Sequence, residues 1–533
     1  MKDIDLLGRI GRLKTSHGII ETPYIFPVVD PTLKRQFVSL EVIKNIGFNG
    51  IITNAYLLKK NVNKVVDIHN YLNFDGVVMT DSGAYQVLRY GGIEVSNREI
   101  VQYQCDIRSD IAVILDIPTP YNVSYEEALR SAEITYQRAM EVADIINLCK
   151  DTLWTLPIQG GTYINILKEY AKKSANISGY GYSIYALGSP TTLLENYMLD
   201  KVVEMIVAVR LTIEPSSPLH LFGAGHPLIM PFAIALGVDL MDSASYILYA
   251  RDKRYMTKRG TYKITELRYL PCSCPICSKH TVEEMMKMTN EELTKLLALH
   301  NLYVLYTELK EIKECIREGR LWEYLEERAR AHPATKRAFD VIKKYLEHIY
   351  SRSPYKKPRG KGVFILSDDS IYNPKIMIPR RKILIEITPK RTCVVFVPLT
   401  KFSNARFNVH LHYTSILNEV NKIYESKVQP CDMYLYHPII GIVPSVLLAA
   451  YPFSQFESYT TYSPTSIKTL VYTLIEYIIR ITKDCNVDKN VVLIYDYIEW
   501  QYVFGNLLEA YINILKSKNI DIEIVKIKRD NFL

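Results

Sequence analysis

Gly50-Ile51-Ile52-Thr53-Asn54 and Gly76-Val77-Val78-Met79-Thr80-Asp81 decide the fold class, because each is a short apolar, β-branched run that ends on a polar side chain. Short continuous runs of this kind suit strands buried on both faces. Six more runs follow the same pattern: Pro23–Val29, Ile111–Leu115, Trp154–Ile158, Tyr182–Leu187, Leu219–Phe222 and Val238–Met241. Helix-like stretches such as Ser124–Leu148 and Leu193–Leu211 lie between them, long enough for the crossovers that parallel strands require. Eight such units predict an α/β chain built on a closed TIM (β/α)8 barrel. The runner-up is an open doubly wound sheet, which usually has fewer units and a glycine-rich first turn that is absent here.

Composition narrows the class further. The chain has 533 residues, 48% of them apolar and 23% charged, which excludes disordered and collagen-like proteins. The longest apolar stretch, Ile439–Phe453, is broken by Pro444 and Pro452 and falls short of the roughly 18 residues of a membrane span. The N-terminus lacks the apolar core of a secretory signal, so a cytoplasmic protein with no membrane partner is expected. Nine cysteines are too few and too unevenly placed for a disulfide framework, and three crowd between Cys272 and Cys277.

The change in pattern at Lys253 predicts three domains: a catalytic barrel over 1–252, a zinc-binding helical subdomain completing it over 253–351, and a C-terminal α+β accessory region over 352–533. Helical sequence in the second opens with a capping-box pattern at Thr289 and Glu292. Ser351–Lys361 reads as a basic linker. In the third region, strands are expected at Lys382–Thr388, Cys393–Val397, Val491–Tyr495 and Ile520–Ile527, and helices at Thr465–Thr482 and Tyr502–Ser517. The formal net charge of +8 lies within Arg352–Arg391, and the rest of the chain balances. A solvated linker is the plain explanation. A phosphate-contacting surface including Lys356, Lys357, Arg380 and Arg381 is the preferred one.

Barrel enzymes gather function on the loops after the strands. Asn54, Asp81, Asp116, Gln159, Gly188 with Ser189, Gly223–Gly225 and Asp242 each follow one predicted strand. Any one of the aspartates could be a mere helix cap, but seven of the eight strand ends agree. Two carboxylates in one pocket suit glycosidic chemistry, one attacking an anomeric carbon and the other moving protons. Asp116 and Gln159 offer groups suited to a purine edge, and Tyr85 and Phe222 could stack on its faces or simply fill the core. Cys272-x-Cys274-x2-Cys277 followed by His300 is a closed tetrahedral set typical of structural Zn2+, with His280 a weaker fourth ligand.

The segments DSGAYQ (81–86), ILDIPTP (114–120), IQGG (158–161), HLFGAGHP (220–227), GVDLMDSASY (237–246) and YLPCSCPIC (269–277) resemble the tRNA-guanine transglycosylases, and among them the archaeal type. The resemblance covers about the first 350 residues. It implies a barrel enzyme that exchanges guanine in tRNA for a 7-deazaguanine. Asp242 matches the nucleophile and Asp81 the general acid/base. Asp116, Gln159, Ser82, Gly188 and Ser189 match the groups that hold the base edge, Tyr85 and Phe222 its aromatic sandwich, and Cys272, Cys274, Cys277 and His300 the structural zinc set. Ser243-Ala244-Ser245-Tyr246 after Asp242 resembles the archaeal members, which insert 7-cyano-7-deazaguanine at position 15 of the D-arm on the path to archaeosine. Met241 replaces the commoner Phe, a packing change.

Archaeal members often end in a PUA domain, an all-β barrel that the helix–strand–helix pattern after Thr465 does not match. Its absence is therefore expected, with its tRNA contacts supplied by a separate PUA-domain protein or by this chain's basic surface. The resemblance also implies a homodimer formed near the zinc region. A noncatalytic tRNA-binding paralogue, a transglycosylase acting on another guanine position, and a glycosidase or base-salvage hydrolase on the same scaffold are the alternatives. The joint presence of Asp81 and Asp242 disfavours the first, and a stacked pocket that favours a base over water disfavours the last.

Overall fold

The computed structural model describes residues 3–62, 64–84, 95–355, 361–399, 422, 425, 431–459, 461–485, 487, 491–496, 500–520 and 522–527. An antiparallel meander opens the chain, with β1 (Asp3–Asp5), β2 (Gly8–Thr15) and β3 (Gly18–Thr22). Sequence reading missed it, because Asp3, Asp5, Arg9, Arg12, Lys14 and Glu21 break these strands up and no long apolar run marks them.

Eight parallel strands follow: β4 (Tyr24–Pro27), β5 (Gly50–Asn54), β6 (Val77–Asp81), β7 (Ile111–Val113), β8 (Leu153–Ile158), β9 (Tyr182–Leu187), β10 (Leu219–Leu221) and β11 (Leu240–Ser243). They form one sheet in the order β4-β11-β10-β9-β8-β7-β6-β5. A parallel bridge between Val28 and Ile52 draws the two edge strands together, and the Val29 N–H donates to the Ile52 carbonyl at 2.9 Å. Each strand falls on one of the eight predicted runs, so the barrel reading holds and the open sheet is excluded. Helices lie between the strands. Tyr125–Glu141 starts at a capping box made by Ser124 and Glu127, and Leu199–Arg210 is buried along most of its length.

After the barrel come the hairpin β12 (Arg254–Thr257) and β13 (Gly260–Lys263), a cysteine-bearing loop, and a helix over Asn290–Glu318. That helix begins where expected: the Thr289 N–H donates to Glu292 at 2.9 Å and the Glu292 N–H to the Thr289 hydroxyl at 3.3 Å.

The chain divides into two compact units, 1–317 with 327–352 and 318–326 with 353–533. The second contains β14 (Val363–Ile365), β15 (Val394–Pro398), β16 (Asp432–His437), β17 (Gly441–Pro444), β18 (Phe456–Ser458), β19 (Val491–Asp496) and β20 (Ile522–Ile527). Five of these form a sheet in the order β17-β16-β15-β19-β20, antiparallel only between β16 and β17, and β14 pairs with β18. Helices Pro464–Asp484 and Trp500–Lys516 accompany this largely parallel sheet. Phe396, Tyr434, Leu470, Leu474, Leu493 and Phe504 are among its buried core.

Two expectations in this unit fail. Lys382–Thr388 is not a strand; Lys382–Glu386 ends the helix Pro374–Glu386, which starts at an Asn373 cap with Pro374 in its first turn. The alternating isoleucines suggested a strand, but the buried residues include Ile376, Arg380 and Ile383, at helical spacing, and Ile385 is 74% exposed. Arg380 is also no phosphate contact. It is buried, donates to the Ile439 carbonyl at 2.9 Å and the Thr473 hydroxyl at 3.2 Å, and burial lowers its pKa to about 10. Lys356 and Lys357 lie outside the described residues.

Cysteine pairing was likewise not legible. Cys105 with Cys149 and Cys393 with Cys431 form disulfides, because the fold brings together residues far apart in sequence. Among the described residues no helix is long and apolar enough to cross a membrane.

Candidate active site and metal centre

Asp242 lies on the last barrel strand, and its carboxylate is held asymmetrically. Oδ1 accepts from His220 Nε2 at 2.8 Å and from the Gly223 N–H at 2.9 Å. Among the described residues no hydrogen bond is made to Oδ2. Gly223 has φ +61°, and a Cβ there would come 2.6 Å from the Thr191 hydroxyl, so the turn that aims its N–H at Asp242 requires glycine. His220 is fully buried on β10, its ring 4.7 Å from that of Phe222 and 6.4 Å from that of Phe26. Sequence reading missed His220. Its place two residues before Phe222, on the strand carrying the glycine turn, was the available signal, but a histidine inside an apolar run reads as core.

Asp81 ends β6 across the same barrel mouth. Its carboxylate accepts from Asn54 Nδ2 at 2.9 Å and from the Gly83 N–H at 3.3 Å. Burial, and then the negative charges of Asp116 and Asp242, push its pKa up to about 7. Asp81 therefore holds a proton readily at neutral pH, while Asp242 takes two donors on one oxygen. A carboxyl group able to move a proton and a second with one oxygen outside those bonds suit an acid/base and nucleophile pair.

Asp116 is buried beyond β7, and burial raises its pKa to about 6. Gln159 Nε2 donates to it at 2.5 Å, and Gln159 Oε1 accepts from the Thr119 N–H at 3.2 Å and the Ser189 hydroxyl at 3.0 Å. A Cβ on Gly188 would fall 2.2 Å from the Gln159 amide, so glycine is required for this side chain to pack where it does. The fold thus gathers Asp116, Gln159, Gly188 and Ser189 into one network beside Asp81. Ser82 is buried and donates to the Ile114 carbonyl at 3.1 Å, which commits its proton to the backbone. Phe222 is half-buried at the mouth, and Tyr85 lies outside the described residues.

The metal-ligand candidates also converge. Cys272, Cys274, Cys277 and His300 offer donor atoms all within 4.8 Å of one another. His300 Nδ1 lies 3.5 Å from Cys274 Sγ and 3.4 Å from Cys277 Sγ. A sulfur and a nitrogen bound tetrahedrally to one Zn2+ are separated by about 3.6 Å, so this donor set fits such an ion. His300 Nε2 donates to the Met256 carbonyl at 2.9 Å, which leaves the Nδ1 lone pair facing the sulfurs. Tyr255 stacks on the His300 ring at 3.7 Å. His280 is not part of the cluster.

Comparison with known proteins supplies the family. A family model described as queuine tRNA-ribosyltransferase matches residues 5–334. A protein of Aeropyrum pernix named tRNA-guanine(15) transglycosylase is 48% identical over 379 residues, 70% of this chain and 73% of its own. Proteins of the same name from Sulfolobus acidocaldarius and Pyrococcus furiosus are 41% and 39% identical over 86% of this chain, covering 89% and 70% of their own lengths. Since the matched segment takes in every barrel strand and all four candidate metal ligands, the chain belongs to the queuine tRNA-ribosyltransferase family.

Proposed function

We propose that this chain is a tRNA-guanine(15) transglycosylase that replaces guanine at position 15 of tRNA with 7-cyano-7-deazaguanine by double displacement. The asymmetric holding of Asp242 opposite the proton-holding Asp81 carries this reading, and the names of the relatives supply the position. Asp242 Oδ2 attacks C1′ of the ribose as the bond from C1′ to guanine N9 breaks, and Asp81 gives the departing base its proton. The incoming base then loses its N9 proton to Asp81 and attacks C1′, and the bond from C1′ to Asp242 breaks. No phosphodiester bond changes. Guanine and its replacement lie between Phe222 and Tyr85, and their hydrogen-bonding edge takes over Asp116 and Gln159, which hold each other in the free enzyme, with the Gly188–Ser189 turn and Ser82 alongside.

Cys272, Cys274, Cys277 and His300 would hold Zn2+, which supplies no reaction chemistry here because four protein ligands leave no open position. The domain organisation that accompanies this reading is a barrel over 1–252, a metal-binding helical subdomain over 253–351 and an accessory region from 352.

Asp242→Ala should abolish exchange of labelled guanine into tRNA, and mass spectrometry of wild-type product should place the new base at position 15. Unimpaired exchange by the variant would overturn the catalytic assignment. Modification at the anticodon would overturn the position. Free nucleoside accepted as readily as tRNA would favour a salvage enzyme.

A further inference from the structure

At the opposite end of the barrel, three side chains from distant parts of the sequence meet. His17 lies in the turn between β2 and β3, His69 in the short helix Ile68–Leu72, and Asp110 directly before β7. Asp110 is fully buried. Its Oδ1 accepts the His17 N–H at 2.9 Å, and its Oδ2 accepts the Val78 N–H at 2.9 Å. His17 Nδ1 lies 3.0 Å from Oδ1, and His69 Nε2 lies 3.2 Å from Oδ2. The two imidazole rings stack with centroids 3.7 Å apart.

One nitrogen of this cluster stands out. His69 Nε2 is buried 3.2 Å from Asp110 Oδ2 and has no hydrogen-bond partner among the described residues. Its other ring nitrogen, Nδ1, lies 3.3 Å from the Phe74 carbonyl. A buried polar nitrogen without a partner is costly, and a cation held between it and the carboxylate would satisfy both.

We infer that His17, His69 and Asp110 form a second cation site, suited to a borderline divalent transition ion such as Zn2+, Co2+ or Ni2+. The donor atoms of all three lie within 4.8 Å of one another. Donors about 2.1 Å from one such ion are separated by about 3.0–3.4 Å in octahedral or tetrahedral geometry, which brackets the two nitrogen–oxygen distances. Each Asp110 oxygen has two lone pairs, so the backbone N–H on each leaves one for a metal. The His17 side chain is 28% exposed, which gives the ion a route in and room for water to complete its shell. Asp67 and Arg108, paired with each other at 3.2 Å, are the charged neighbours on the helix side. The ion would tie the N-terminal meander to the bottom of the barrel, a stabilising role at the face remote from Asp81 and Asp242.

The test uses the full chain, stripped of metal and titrated with Co2+. The Cys272–His300 centre reports itself by intense thiolate-to-cobalt charge-transfer bands, whereas a nitrogen–oxygen site adds only weak visible bands. Wild type should take up a second equivalent with the weak bands and gain thermal stability from it. His17→Ala and His69→Gln should each lose the second equivalent and its stabilisation while keeping the charge-transfer bands. A single equivalent in wild type, or a second one retained in both variants, would overturn the site. So would a stability change at His17 and His69 that follows pH alone, since a proton rather than a metal would then join the imidazoles to Asp110.

Discussion

Asp242 commits one carboxylate oxygen to two donors, the buried His220 imidazole and the Gly223 N–H, and among the described residues makes no hydrogen bond through the other. His220→Phe keeps the volume and removes the donor. One hydrogen bond to a charged group contributes about 1.5–3 kcal/mol, so kcat for guanine exchange should fall about 10- to 100-fold with KM for tRNA unchanged. A rise in KM at constant kcat, measured by steady-state exchange, would assign His220 to substrate binding instead.

Asp81 carries an opposite, pH-dependent cost. Burial raises its folded pKa to about 7 from an ordinary 3.8, so the folded chain holds this proton more tightly than the unfolded chain does. Its contribution to stability is complete below the ordinary value and is lost as pH rises through about 7. Asp81→Asn should therefore be inactive yet more stable than wild type at pH 8, with the gap closing as pH falls toward 4. Thermal melts across that range decide it, and a constant gap would contradict the buried-carboxyl account.

Among elements, helix Pro374–Glu386 shows how packing overrides local pattern. Ile383, Ile385 and Ile387 alternate like a strand, but the Asn373 cap starts a helix whose buried stripe includes Arg380. A Cβ added at Gly441 would lie 3.0 Å from Arg380 Cδ, so the guanidinium stem is tightly enclosed. Arg380→Ala should destabilise the chain by about 2 kcal/mol, from the unsatisfied Ile439 carbonyl and the lost packing. Denaturant unfolding measures this, and the salt dependence of tRNA binding should not change.

For the whole molecule, the charge of +8 has to be re-sorted by burial. Arg380 and Lys375 are enclosed, whereas Arg381, Lys382 and Lys390 are exposed. Replacing these three with Glu should reduce the slope of log K for tRNA against log salt by up to about 0.9 for each residue that touches a phosphate. An unchanged slope would make the segment a solvated surface.

The sequence by itself determined the eight barrel strands, the strand-end carboxylates and carboxamides, and the Cys272–His300 set. Each of these is written in local period, local spacing or a short motif, which the barrel's short-range βα order preserves in space. It could not determine that His220 holds Asp242, that Arg380 faces inward, that Cys105 finds Cys149, or that His17, His69 and Asp110 meet below the barrel. In each of those cases a polar residue takes its role from a neighbour distant in the chain or from how deeply its own helix is buried, and only tertiary packing decides which donor lies within 3 Å of which acceptor.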